Sequence, residues 1–272
     1  MEISAARIAE LEWANYAATL PSSKVTPSLD VVLREDMILT RSTAFPTEDS
    51  NHACLLRTTP ESADDLIGEI RGFFEPEGLP VAVYLSPACV PTDLGDKLVE
   101  QGFSEQPGTE TWMVLEDLPN FHIPSPYSGI TVRKIGGEEA LLFSEVFLTA
   151  FGMPSRFAPV LAELMAPSVG LPNAFHYVAF QDSDPVGTCS LLSHEDFGVL
   201  GSAGVLPEHR RGGAATNLAI RAVGDARARG IETVMLQTTA GTWLERLLRI
   251  SGFRPVFARK CYTRDHDTSG QD

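Results

Sequence analysis

From Ile130 onward, short runs rich in β-branched residues alternate with stretches whose apolar residues recur every three to four positions. These two periodicities separate strands from amphipathic helices, so the alternation leaves few folds open. Ile130-Thr131-Val132-Arg133 reads as a strand, residues 138–151 as a helix carrying Leu141, Leu142, Val146, Phe147 and Ala150 at helical spacing, and residues 157–165 as a second helix. Residues 174–180 and 186–192 predict a hairpin around the turn formers Asp182-Ser183-Asp184-Pro185. Residues 199–205 predict a strand running into Pro207, and residues 214–229 a helix with Leu218, Ala222, Val223 and Ala226 on one face, stopped by Gly230. Residues 233–238, 242–250 and 256–263 close the series as strand, helix and strand. An α/β fold follows, a mixed sheet with helices covering its faces.

The first part of the chain repeats the theme more loosely. Ala5, Ile8, Ala9, Leu11 and Tyr16 predict a first helix, residues 53–58 a strand, and residues 62–74 a helix with Ser62 as its capping hydroxyl and Asp64 and Asp65 at the positive end of its dipole. Residues 81–85, 92–101 and 110–115 follow as strand, helix and strand. The stretch LPNFHIPSPYSG, residues 118–129, holds three prolines among turn formers and reads as a connection between domains. The expected division is residues 1–122, a linker at 123–129, a second domain at 130–264 and a disordered tail at 265–272. Gly102-Phe103 and Gly252-Phe253 each end a helix and lead into a strand, a faint echo of duplication.

Charge and composition exclude several classes of function. With 36 acidic against 21 basic side chains, the 272-residue chain carries a net charge of −15, and such a surface repels a phosphate backbone. No nucleic-acid partner is expected. The apolar runs are far shorter than the roughly 20 residues that span a bilayer, and the start of the chain lacks the basic and apolar blocks of a secretory signal. A cytoplasmic protein with no membrane partner is the expectation. Cys54, Cys89, Cys189 and Cys261 form no Cys-x-x-Cys pair, and the histidines never pair at metal-ligand spacing, so no metal is expected. Trp13 and Trp112 read as core, and Trp243, at a helix start, as packing.

The segment that carries chemistry is Val205-Leu206-Pro207-Glu208-His209-Arg210-Arg211-Gly212-Gly213-Ala214-Ala215-Thr216. It joins a strand to a helix through small residues. The first amides of a helix lack intrahelical acceptors and lie at its positive end, so a diphosphate placed there meets both donors and favourable potential. Gly212, Gly213, Ala214 and Ala215 let a ligand approach, and the guanidinium groups of Arg210 and Arg211 suit phosphate. The segment is not a P-loop, since no Gly-Lys-Ser/Thr closes it, and it lacks the three-glycine dinucleotide fingerprint.

With Arg210, Gly213 and Ala215 in a Gln/Arg-x-x-Gly-x-Gly/Ala pattern after a strand, the chain resembles the GNAT acyltransferase superfamily over about residues 130–264. The resemblance implies two GNAT-like units in tandem, the first degenerate and shaping the acceptor pocket. It implies acetyl-CoA as acyl donor, bound through Arg210, Arg211, Gly212, Gly213, Ala214, Ala215 and Thr216, with the pantetheine along Gly204, Val205 and Leu206. The amide of Val205 or its neighbour would polarise the thioester, and an amine of a small molecule or peptide would attack it directly. A non-catalytic CoA-binding regulatory module is the alternative.

The sequence departs from the family pattern at two positions. Leu248 stands where members often carry a proton-donating tyrosine, and the motif strand has no carboxylate. Ser251 is the substitute acid, Glu195 in the turn His194-Glu195-Asp196 the candidate base, and Ser202 the residue that would position a water.

Overall fold

The computed structural model describes residues 3–264; the expectation for the tail at 265–272 lies outside the described residues. Its helices and strands, in chain order, begin with α1 (Ala5–Ser23), β1 (Leu29–Leu33), β2 (Ile38–Ser42), β3 (His52–Cys54), α2 (Ala63–Phe74), β4 (Val81–Leu85), α3 (Leu94–Glu100), β5 (Ser104–Glu105) and β6 (Glu110–Leu115). They continue with β7 (Ile130–Lys134), α4 (Ala140–Ala150), α5 (Ala158–Met165), β8 (Ala174–Gln181), β9 (Asp184–His194), β10 (Phe197–Val205), α6 (Ala214–Ala228), β11 (Thr233–Thr239), α7 (Trp243–Ile250) and β12 (Arg254–Arg264). The fold is mixed α/β with helices flanking sheet, as the alternation requires.

Two compact units share the chain. The first gathers the residues up to Ala17, Pro27–Met113 and those from Gln237 onward; the second comprises Ala18–Thr26 and Val114–Leu236. The sequence reading placed residues 130–264 in one domain, whereas β12 pairs antiparallel with β4, from Lys260↔Leu85 to Arg264↔Val81. Main-chain pairing therefore groups the end of the chain with residues far upstream.

In the first unit the strand order is β1-β2-β3-β4-β12. Only β3 and β4 run parallel. Helix α2 lays Leu66, Ile67, Ile70 and Phe74 on this sheet, against Met37, Leu39, Val81 and Val83. The hairpin β1–β2, from Leu29↔Ser42 to Leu33↔Ile38, was not foreseen, because its strands are five residues each and its turn is a charged run. The strand expected over 53–58 stops at Cys54, since Leu55 takes a left-handed φ of 51° that breaks the pleat. The Ser62 hydroxyl accepts no capping bond from the first amides of α2, and Ser62 ends a 3-10 turn, Pro60–Ser62. Trp112 is fully buried, but Trp13 and Trp243 are exposed, so neither of these two is a core residue.

In the second unit β7, β8, β9 and β10 form an antiparallel meander, and β11 joins β10 in parallel. Helices cover both faces. A Cβ on Gly204 would meet Ala150 at the end of α4, whereas a Cβ on Gly187 would meet Leu218 of α6 and Val205. Successive strand residues point to opposite faces, so α4 and α6 lie on opposite sides of β10.

Candidate active site

Strand β10 changes character halfway along. Its register with β9 shifts between Gly201 and Gly204, and Ser202 at the bulge has φ of 49°. The buried Thr188 fixes this bulge by donating its hydroxyl proton to the Ser202 carbonyl at 2.9 Å. A bulge bends its strand and strengthens the local twist. The partnership with β11 consists of Phe197↔Thr233, Gly198↔Val234 and Val199↔Met235. Beyond Val199, β10 continues to Val205 and β11 to Thr239 with no further pairing among the described residues. The two parallel strands therefore part, and main-chain groups of β10 line the opening. Leu206 donates its amide to Val186 of β9 at 2.9 Å; because neighbouring amides of an extended chain point to opposite edges, the Val205 amide faces the open side.

At the end of β10 the chain makes a 3-10 turn, Pro207–His209, and passes through two left-handed residues, Arg211 (φ 71°) and Gly213 (φ 90°), before α6 begins at Ala214. The Asn217 amide is taken by the Gly213 carbonyl at 2.9 Å. The amides before it, Gly213 to Thr216, are those a helix start leaves without an intrahelical acceptor. No acidic side chain stands in the first turn of α6, so its positive end is uncompensated.

The matching place in the first unit is closed. After β3, Val90 takes the position of a continuing partner: its amide donates to the Leu56 carbonyl at 2.9 Å and its carbonyl accepts from Thr58 at 3.0 Å. The helix that follows carries Asp64 and Asp65 in its first turn, just after Glu61, which satisfy the dipole and repel an anion. Strand separation and an anion-ready helix start therefore coincide in the second unit.

The side chains around the loop are arranged differently from the sequence expectation. Arg210 donates from Nη2 to the Ala150 carbonyl at 2.9 Å and from Nε to the Val205 carbonyl at 3.2 Å. It ties the last carbonyl of α4 to the end of β10, a brace that the pattern Arg-x-x-Gly-x-Ala does not reveal. Gly213 makes room for a neighbour in the same chain: a Cβ there would fall 2.7 Å from Cγ of Tyr127. The buried Asn217 holds that tyrosine by its backbone, accepting from the Tyr127 amide at 2.8 Å and donating to its carbonyl at 2.9 Å. Tyr127 and Asn217 were not singled out from the sequence. The available signal was an asparagine on the otherwise apolar face of the helix predicted at 214–229.

Of the three candidate catalytic side chains, Ser202 and Glu195 stand toward opposite ends of β10 and are not brought together. Ser202 is exposed on the bulge, beside the opening. Glu195 sits in the tight turn between β9 and β10, with its side chain 75% exposed and 3.9 Å from His194. It lies at the start of β10, about 30 Å of extended chain from Val205 at roughly 3.3 Å per residue. Ser251 follows α7 in the first unit and donates to the Leu247 carbonyl at 3.0 Å, the bond of a helix end. Phe151 was missed: its ring edge would lie 2.9 Å from a Cβ on Gly204, and it pairs with Phe147 at 4.8 Å between ring centroids. Both rings stand on the α4 side of the bulged half of β10. Among the described residues no group of three or more His, Cys, Asp or Glu could hold a metal ion, and no helix is long and apolar enough to cross a membrane.

Residues 143–253 match the model of the Acetyltransferase (GNAT) family, and the opening, the loop and α6 fall within the matched residues. A GCN5-related N-acetyltransferase from Kribbella flavida superposes with a TM-score of 0.71 at 18% identity, with 99% of each chain covered. A tandem GNAT protein from the clavulanic acid biosynthesis pathway gives 0.60 at 14% identity, covering 91% of this chain and 86% of its own. A GCN5-related N-acetyltransferase from Sphaerobacter thermophilus gives 0.57 at 19%, covering 97% and 94%. Likeness over nearly the whole length extends the GNAT-like fold to the first part of the chain. No curated protein sequence matches.

Proposed function

We propose that this chain transfers an acyl group, acetyl first among them, from acyl-CoA to a primary amine of a small molecule or peptide. The observation that carries the reading is the coincidence, within the residues that match the GNAT family model, of a strand opening past Val199 with a helix start whose first amides lack intrahelical acceptors and whose first turn carries no acidic side chain. In this reading the amides of Gly213, Ala214, Ala215 and Thr216 hold the diphosphate, with Gly212 giving clearance and Arg211, whose side chain is exposed, adding charge. The edge Gly204-Val205-Leu206 receives the pantetheine amides. Arg210 serves by bracing the end of α4 against β10.

The chemistry needs little beyond position and polarisation. The Val205 amide donates to the thioester carbonyl oxygen as negative charge develops there. The amine lone pair forms the C–N bond, the C–S bond breaks, the amine proton leaves through water held near the Ser202 hydroxyl, and the departing sulfur takes up a proton from solvent. Holding both reactants in line accounts for much of the acceleration. Phe147 and Phe151 supply an apolar wall on the acceptor side, and the net charge of −15 favours a cationic amine. The buried free thiols Cys54, Cys89 and Cys189 suit a reducing, cytoplasmic setting.

The test is calorimetry with acetyl-CoA followed by a thiol-release screen across small amines and peptide amino termini. Binding with amine-dependent release supports the reading; binding with no release across the panel favours the non-catalytic module, and absence of binding overturns both.

A further inference from the structure

The segment that leads into the second unit's sheet is fastened along the helix that begins at the loop. The Phe121 carbonyl accepts from Nη1 of Arg227, in the last turn of α6, at 3.1 Å. Asn217, in its first turn, holds both backbone groups of Tyr127 and also donates to the Ile130 carbonyl at 3.1 Å. The chain therefore travels beside α6 from its end to its beginning, with Pro124 and Pro126 limiting its backbone freedom. It delivers Tyr127 to Gly213.

There the side chain behaves unlike a core anchor. Its Cβ and Cγ crowd the space a side chain on Gly213 would fill, yet the residue is 59% exposed. The backbone is held, the root of the side chain and one edge of the ring pack against Gly213, and the residue stays mostly exposed beside the start of α6.

We propose that Tyr127 is the platform on which the adenine of acyl-CoA stacks. The inference rests on the acyl-CoA reading above and adds a nucleotide-specific contact to it. A diphosphate on the first amides of α6 puts the attached adenosine within one nucleotide's length of the ring. Stacking uses the ring face and not the hydroxyl, so phenylalanine is an adequate replacement and alanine is not. Loss of one base–aromatic stack corresponds to a loss in affinity on the order of 5- to 150-fold.

The experiment uses the full chain, its Tyr127→Phe and Tyr127→Ala variants, and two probes: acetyl-CoA and S-acetyl-4′-phosphopantetheine, which keeps the thioester arm but lacks the nucleoside. The expected result is that Tyr127→Ala weakens acetyl-CoA on that scale, Tyr127→Phe stays within about twofold, and neither changes the affinity for the nucleoside-free donor by more than about twofold. Equal loss for both probes would mean that Tyr127 only shapes the loop, and tighter acetyl-CoA binding by Tyr127→Ala would mean that it obstructs the site; either overturns the proposal while leaving the acyl-CoA reading intact. Failure of the parent chain to bind either probe overturns both.

Discussion

Arg259 on β12 and Glu12 on α1 form an ion pair at 3.1 Å, with 3% and 0% of their side chains exposed. The same guanidinium donates to Glu110 at 2.6 Å and to the Tyr16 oxygen at 3.1 Å, and lies over the rings of Tyr84 and Trp112. Glu12 accepts a second bond from Ser86 at 2.5 Å. Burial pushes the Glu12 carboxyl up from its ordinary pKa, and the charge of Arg259 draws it back. Charges in such a place are tolerated only as a satisfied set.

Arg259→Leu should therefore lower stability by about 3–5 kcal/mol, because Glu12 is left buried without its counter-ion. The double variant Arg259→Leu with Glu12→Leu removes that orphan and should be less destabilised than the single one. Denaturant midpoints of the parent, both single variants and the double variant check this; additive losses would show that the pair is not coupled.

Two buried histidines predict an acid-sensitive fold. Burial, followed by the charge of Arg259, lowers the pKa of His52 to about 3; burial and Lys134 lower that of His176 to about 4. Above the ordinary value of about 6.5 both are neutral folded or unfolded and contribute no slope. As pH falls below it, the unfolded chain binds protons that the folded chain refuses, so stability declines toward pH 4 by up to about 1.4 kcal/mol per unit for each histidine. His176 accepts or donates at 2.8 Å to Ser190, a bond an amide also makes, so His176→Asn should fold and flatten the slope. An unchanged slope in that variant would exclude His176 as a source.

What was legible depended on the range of the signal. Helix α6 and strand β10 were readable because periodicity and the Gly213 start are local, and Arg210 and Ala215 marked the loop. The partner of β12 was not, since Lys260↔Leu85 is a long-range pairing that no local pattern encodes. The parting of β10 from β11 was hidden for a related reason: it depends on where two strands cease to pair, and a run of Gly and Ala reads alike in a paired and an unpaired strand. Tyr127 was hidden by its setting, since a proline-rich stretch reads as a tether whether or not an asparagine elsewhere holds it.

The brace formed by Arg210 makes a prediction that separates structure from charge. Its bonds run to the Ala150 and Val205 carbonyls, and a glutamine amide can supply one of them. Arg210→Gln should keep acetyl-CoA affinity within about fivefold, with an unaltered salt dependence, and Arg210→Ala should lose more. If affinity falls equally in both variants and the salt dependence flattens, the guanidinium acts on phosphate directly.

The two ends of β10 should answer oppositely to substitution. Glu195 stands in the turn before the strand, exposed and about 30 Å of chain from Val205, too far to take a proton from an amine beside the opening. Glu195→Gln should change kcat/KM by less than about twofold, against the 100-fold or more expected for loss of a general base. At the other end, a Cβ on Gly204 would fall 2.9 Å from both Ala150 and the Phe151 ring. Gly204→Ala should push the end of α4 from the strand, costing about 1–3 kcal/mol in stability. It should also depress kcat/KM at temperatures where the variant is folded, since the acceptor wall moves relative to the Val205 amide. In both proteins the rate should rise with pH as the acceptor amine loses its proton, and Glu195→Gln should leave that profile in place. A profile that shifts in Glu195→Gln would require β10 to be approached from its other end and would remove the opening past Val199 from the chemistry.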